Sequence, residues 1–174
     1  MYHSYVYEFQ HFTFQLKLLI EQIKFIDNQV KECETKIKEL MKKINSPITT
    51  IPGIGSVLGA VIISEFGDIS RFDKPSKLVA YAGIDATISQ SGEFEGTHNT
   101  MSKRGSPYLR KALFQAALVA SNTDPVLKDY YQKKRAEGKH HKTCIGAVAR
   151  KMCNIIYAVL KNNLPYFWKN SKNM

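Results

Sequence analysis

Residues 16–44 read LKLLIEQIKFIDNQVKECETKIKELMKKI. Apolar side chains at Leu16, Leu19, Ile23, Ile26, Val30, Cys33, Ile37, Leu40 and Ile44 follow one another by three and four residues in strict alternation, the spacing of a coiled-coil seam. The positions between are mostly polar or charged, among them Glu21, Lys24, Lys31, Glu34, Lys38 and Lys42, and neither Gly nor Pro interrupts them. This predicts one long helix from near the N-terminus to about Ile44, where Asn45-Ser46-Pro47 ends it. A seam of that length calls for a partner, either a second copy of the chain or an upstream segment folding back. The expected fold class is therefore mainly α: a coiled-coil helix over 1–46, a compact helical domain over 47–165, and a tail over 166–174.

Outward from the seam the character changes at Ile51-Pro52-Gly53-Ile54-Gly55, which leads into small and β-branched residues through Ile62. Two glycines in a tight turn before a helix resemble a helix-hairpin-helix, a module that grips a nucleic-acid backbone. Gly53 and Gly55 would let the main chain approach a phosphate, and the helix after them would present its positive end. A plain turn into a buried helix fits the same residues. Further along, a short helix is expected near Ser76–Tyr81, a short strand over Ile84–Ser89, a turn at Ser91-Gly92, and a polar loop from Phe94 to Gly105. Ser106-Pro107 and Asp124-Pro125 each read as a cap followed by a first-turn proline, which places helices at about 107–121 and 125–136. Gly138 closes the second, a last helix runs from about Thr143 to Asn162, and a frayed tail from Leu164 follows.

The chain of 174 residues carries a formal charge of +10, and the charge is concentrated. Between Lys103 and Lys151 twelve Lys or Arg face only Asp124, Asp129 and Glu137, so that stretch alone carries +9. Such a field attracts a polyanion and releases its counterions, although solvated helix faces also carry charge runs. Cys33, Cys144 and Cys153 show no short paired spacing of a zinc site and read as reduced core or seam residues. No run approaches the roughly 20 consecutive apolar residues of a membrane span. The first residues lack the order of a signal peptide, and the expected location is the cytoplasm.

Phosphate-binding loops of the Walker type, a His-Glu-x-x-His motif and clustered carboxylates are all missing from the sequence. What remains is a set of serines and cations: Ser91-Gly92, then Ser102-Lys103-Arg104-Gly105-Ser106, then Arg110-Lys111. A serine hydroxyl can attack a phosphodiester if its proton is taken and cations balance the phosphoryl charge, a task suited to Lys103, Arg104 and Arg110. No residue close to these serines in sequence is an obvious base. Read locally, Ser91 is a turn residue or a nucleophile, and Ser106 is a helix cap.

Four blocks in order, Ile51-Pro52-Gly53-Ile54-Gly55, then Phe72 with Leu78–Ile84, then Ser91-Gly92, then Ser102–Gly105 with Leu109–Leu113, resemble the C-terminal domain of the insertion-sequence one-ten/one-sixteen transposases. The resemblance covers about residues 45–165. It implies a recombinase guided by a structured RNA and acting as an oligomer on DNA, in which an N-terminal RuvC-like domain supplies acidic ligands for magnesium and the C-terminal domain supplies a catalytic serine. By position that serine falls on Ser91, with Ser102 as the fallback. The nucleic-acid contacts expected from the glycine turn and the basic residues are Gly53, Gly55, Lys103, Arg104, Arg110, Lys111, Lys133, Lys134 and Arg135. No metal ligand or cofactor is expected in this chain. The RuvC-like part is absent from the sequence, so the isolated chain is expected to be inactive. The alternative is a non-catalytic module that binds DNA or RNA backbones and oligomerises.

Overall fold

A computed structural model describes residues 2–85, 90–91, 94–95 and 101–167, with side chains over 11–85 and 101–167. The chain divides into two units, residues 1–40 and 41–174. Helix α1, Tyr2–Ile44, supplies the described residues of the first unit and the opening turn of the second.

Within the first unit the long uninterrupted helix forms as expected. Leu16, Leu19, Ile23, Ile26 and Val30 are all exposed, Ile23 by 59%. Phe12, Phe14, Leu18, Ile20 and Phe25 are exposed as well, so from 12 to 26 the apolar surface is wider than the seam. Cys33 is exposed. Local pairs such as Lys36 with Glu39 at 3.2 Å add only a few tenths of a kcal/mol each (about 0.2–0.5).

The second unit opens where Asn45, at φ 48°, stops α1, and Ser46 caps the 3-10 turn Pro47–Thr50. Helices α2 (Ser56–Phe66), α3 (Pro75–Ala82), α4 (Pro107–Thr123), α5 (Pro125–Ala136) and α6 (His141–Asn162) follow. The two proline-started helices begin as their sequences predict: Ser106 Oγ accepts from Leu109 N–H at 3.2 Å, and Asp124 Oδ1 accepts from Leu127 N–H at 2.8 Å. Helix α6 is central and packs on α3, α4 and α5. Ala112, Ala116, Ala117 and Ala120 of α4 are buried, and such small side chains let neighbouring helix backbones approach closely. Phe66, Ile62, Leu78, Leu109, Leu113, Met152 and Ile156 are fully buried and fill the rest of the core. By length and mean composition α6 alone among the described residues is apolar enough to cross a bilayer. Its Cys144–Ala149 stretch, Met152, Cys153 and Ile156 are nevertheless buried in the core, which accounts for that composition.

Three local expectations turn out differently. Ile84 and Asp85 do not lie in a strand: Ile84 is buried just after Gly83 ends α3 in the left-handed region, and its N–H returns to Val79 O at 3.2 Å. Residues 86–89 of that expected strand lie outside the described residues. A short antiparallel pair, β1 (Gln90–Ser91) with β2 (Phe94–Glu95), stands further on. The described start of the tail, residues 164–167, is tied down through Tyr166, whose N–H donates to Thr50 Oγ1 at 2.8 Å and whose hydroxyl donates to Asp124 Oδ2 at 3.0 Å. Burial, and then the Asp124 carboxylate, push the Tyr166 phenol up to about 12.

Candidate nucleic-acid interface

The segment Ser102–Ser106 is laid along the end of α3 by backbone bonds. Ser102 N–H donates to Asp85 O at 3.0 Å, Lys103 N–H to Gly83 O at 3.0 Å, and Ser106 N–H to Tyr81 O at 3.3 Å. The two strands of chain approach so closely that a methyl group on Gly105 would fall 1.9 Å from Tyr81 O. Only glycine fits there. Arg110, one turn into α4, is half-buried, and its Nη1 donates to Ala82 O at 3.3 Å and Gly105 O at 3.4 Å. Part of the guanidinium expected to meet phosphate therefore fastens this crossing.

Beside the crossing lies a cleft of about 510 Å³. Its floor is apolar, from Ile84, Met101, Pro107, Phe114 and Gly146, and its walls carry Lys103, Arg110, Lys111, Lys142 and Arg150. A methyl group at Gly146 would lie in ordinary contact with the Phe114 ring, at 3.4 Å. A second groove of about 710 Å³ shares Asp85, Thr143 and Arg150 with the first and adds Lys134, Lys139 and Lys151. Lys151 Nζ sits 4.5 Å from the centre of the Tyr130 ring, within cation–π range. Among the described residues Asp85 is the one carboxylate lining either depression.

Of the residues singled out from sequence, Lys103, Arg110 and Lys111 meet in the first cleft and Lys134 lies in the second groove. Arg104 is exposed next to Lys103 and Lys133 is exposed on α5, but neither lines these depressions. Arg135 donates to Lys139 O at 2.7 Å and so closes the α5–α6 corner. Lys134 and Lys139 both pair with Glu137, at 2.8 Å each, and these bonds hold the Glu137 carboxyl down at about 2. The glycine turn lies outside both linings. At φ 85° Gly53 packs on α4, where a methyl group would sit 2.4 Å from Ala116 O. Close helix packing thus accounts for Gly53 without a phosphate. Gly55 is exposed at the N-terminus of α2, and no side chain caps that end.

Sequence reasoning missed Lys142, Arg150 and Asp85. Lys142, Gly146 and Arg150 recur every four residues on α6, so helical spacing contained a signal for that wall. For Asp85 it contained none. The Ser102 hydroxyl donates to Asp85 Oδ1 at 2.5 Å across a separation of 17 residues. Ser102 therefore does have a carboxylate partner, which only folding supplies. Ser91 is placed by its backbone in β1, opposite Phe94, while its side chain lies outside the described residues. Among the described residues no three His, Cys, Asp or Glu come together.

Residues 45–132 match the Transposase IS116/IS110/IS902 family. The chain belongs to that family. Over 123 residues it is 32% identical to the insertion element IS110 uncharacterized 43.6 kDa protein of Streptomyces coelicolor, covering 70% of this chain and 30% of that protein. A pilin gene-inverting protein of Moraxella bovis is 33% identical over 122 residues, 70% of this chain and 38% of its own length. The insertion element IS900 uncharacterized 42 kDa protein of Mycobacterium paratuberculosis is 33% identical over 120 residues, 68% of this chain and 30% of that protein. The chain thus spans roughly a third of the length of these relatives. The family match takes in the glycine turn, Asp85, Ser91 and the Ser102–Lys111 block, and stops before the α6 wall with Lys142 and Arg150.

Proposed function

We propose that this chain is the DNA-handling recombination domain of an insertion-sequence transposase, and that it supplies Ser91 as the nucleophile for strand cleavage and exchange. The observation that carries this reading is the cleft in which Lys103, Arg110, Lys111, Lys142 and Arg150 converge over an apolar floor, inside a chain of this transposase family. Five cations around one depression suit a phosphodiester, whose non-bridging oxygens gather charge as a fifth oxygen approaches phosphorus. In the proposed step the Ser91 oxygen bonds to phosphorus, one bridging P–O bond breaks, and the serine proton ends on the departing strand's hydroxyl. A phosphoserine link and a free strand end result, and reversal of the step on another end completes exchange. A RuvC-like half, from another segment or chain, completes the site and brings acidic ligands for magnesium.

DNA, a structured guide RNA and a second copy of this chain along the α1 seam are the partners of this reading, and the cytoplasm is its setting. The alternative is a non-catalytic backbone-binding and oligomerisation module. It is favoured by the scatter of the carboxylates among the described residues.

Trapping a covalent protein–DNA adduct, with the RuvC-like half added, decides between the two. Ser91→Ala abolishes the adduct with DNA affinity nearly unchanged, and Ser102→Ala leaves it able to form. An adduct lost with Ser102 and kept without Ser91 would move the nucleophile to Ser102. No adduct in any form would leave the binding module.

A further inference from the structure

Ser91 stands in the stretch between Asp85 and Ser102, and the two ends of that stretch are joined directly. Two backbone bonds cross the junction, Ser102 N–H to Asp85 O and Lys103 N–H to Gly83 O, both at 3.0 Å. A side-chain bond lies beside them, from Ser102 Oγ to Asp85 Oδ1 at 2.5 Å. Underneath, the Gly83 and Gly105 backbones are in contact and Arg110 bridges the carbonyls of Ala82 and Gly105. Backbone bonds tolerate almost any residue at 85 and 102, so they do not explain a hydroxyl and a carboxylate there. Asp85 and Ser102 are both only half-buried, and Asp85 lines the wall shared by the two cationic depressions. A carboxylate in that place repels the phosphate the depressions attract, which calls for a compensating role.

We propose that Asp85 and Ser102 are positioning residues: their side chains form a clasp that fixes the base of the Ser91-bearing stretch against the wall of the cationic cleft. The proposal rests on the reading of Ser91 as nucleophile. Acceptance of a hydrogen bond is what the clasp requires of Asp85, and its negative charge is incidental. That distinguishes a clasp from a general base, which must take a proton, and from a metal ligand, which works through its charge.

The test compares Asp85→Asn, which keeps an acceptor and removes the charge, with Asp85→Ala, which removes both. In the adduct assay with the RuvC-like half present, Asp85→Ala and Ser102→Ala each slow adduct formation about ten- to a hundredfold, the scale on which misplaced reacting groups act. DNA affinity stays within about twofold. Asp85→Asn and Ser102→Thr, which retain the bond, restore most of the rate, and combining Asp85→Ala with Ser102→Ala is no worse than either alone. Asp85→Asn as slow as Asp85→Ala overturns the clasp, as do additive effects in the double variant.

A second measurement on the 174-residue chain alone does not depend on the nucleophile. Amide exchange at Ser102 and Lys103 is about tenfold faster in Asp85→Ala and Ser102→Ala and unchanged in Asp85→Asn. Unchanged exchange in all three overturns the clasp. If Ser91→Ala leaves the adduct intact, the nucleophile reading fails, and the clasp stands or falls on exchange alone.

Discussion

At Gly53 two constraints act on one atom. The backbone sits at φ 85°, which L side chains rarely adopt, and the added carbon would meet Ala116 O at 2.4 Å, a backbone atom of a packed helix that cannot swing aside. Gly53→Ala is expected to lower unfolding free energy by about 3 kcal/mol. Gly55→Ala meets no atom within 4 Å and has an ordinary φ of −82°, so it costs a few tenths (~0.5 kcal/mol) through the helix cap alone. Denaturant titration of the two variants checks the contrast, and equal losses would contradict it. The glycines themselves were legible in sequence, but their neighbours were not. A Gly-x-Gly turn looks the same whether a phosphate or a helix comes close to it. The same limit hid Asp85, whose partner Ser102 is 17 residues away.

The helices were the most legible level, because proline, serine and aspartate at α4 and α5 encode their own starts, and three-four spacing encodes α1. The α1 stripe leads to a direct expectation. Ile23 and Val30 are exposed by 59% and 49%, and a second copy of the helix is the expected cover for so much apolar surface. Ile23→Asp with Val30→Asp should dissociate an oligomer of the chain, as measured by sedimentation; a monomeric parent chain would refute this. At the α5–α6 corner Lys134 and Lys139 hold the Glu137 carboxyl at about 2, below its ordinary 4.5. A depressed carboxyl contributes stability above about 4.5 that is lost as pH falls through about 2. Thermal melts between those limits should therefore lose more for the parent than for Glu137→Gln. The difference is small because the group is exposed.

For the molecule as a whole the concentrated charge predicts a steep salt dependence. If the cleft and groove meet phosphates, each cation removed by Lys142→Ala or Arg150→Ala lowers the magnitude of the log–log salt slope for duplex DNA by about one. Arg104→Ala, outside both linings, should weaken unrelated sequences evenly. Fluorescence anisotropy at several salt concentrations measures both. A flat slope would remove nucleic acid from the proposal, and loss confined to one sequence would indicate a base contact.

The sequence by itself determined the mainly helical class, the helix starts at Pro107 and Pro125, the apolar stripe of α1, the concentration of charge and the family. Each of these is written in residues near one another along the chain, through spacing, caps and composition. Only the tertiary structure decided which cations share a wall, that Gly53 packs on α4, that Tyr166 bonds to Asp124, and that Asp85 meets Ser102. Those contacts join residues far apart in sequence. No local periodicity records them, because the packing of the second unit's helices on one another creates the distances.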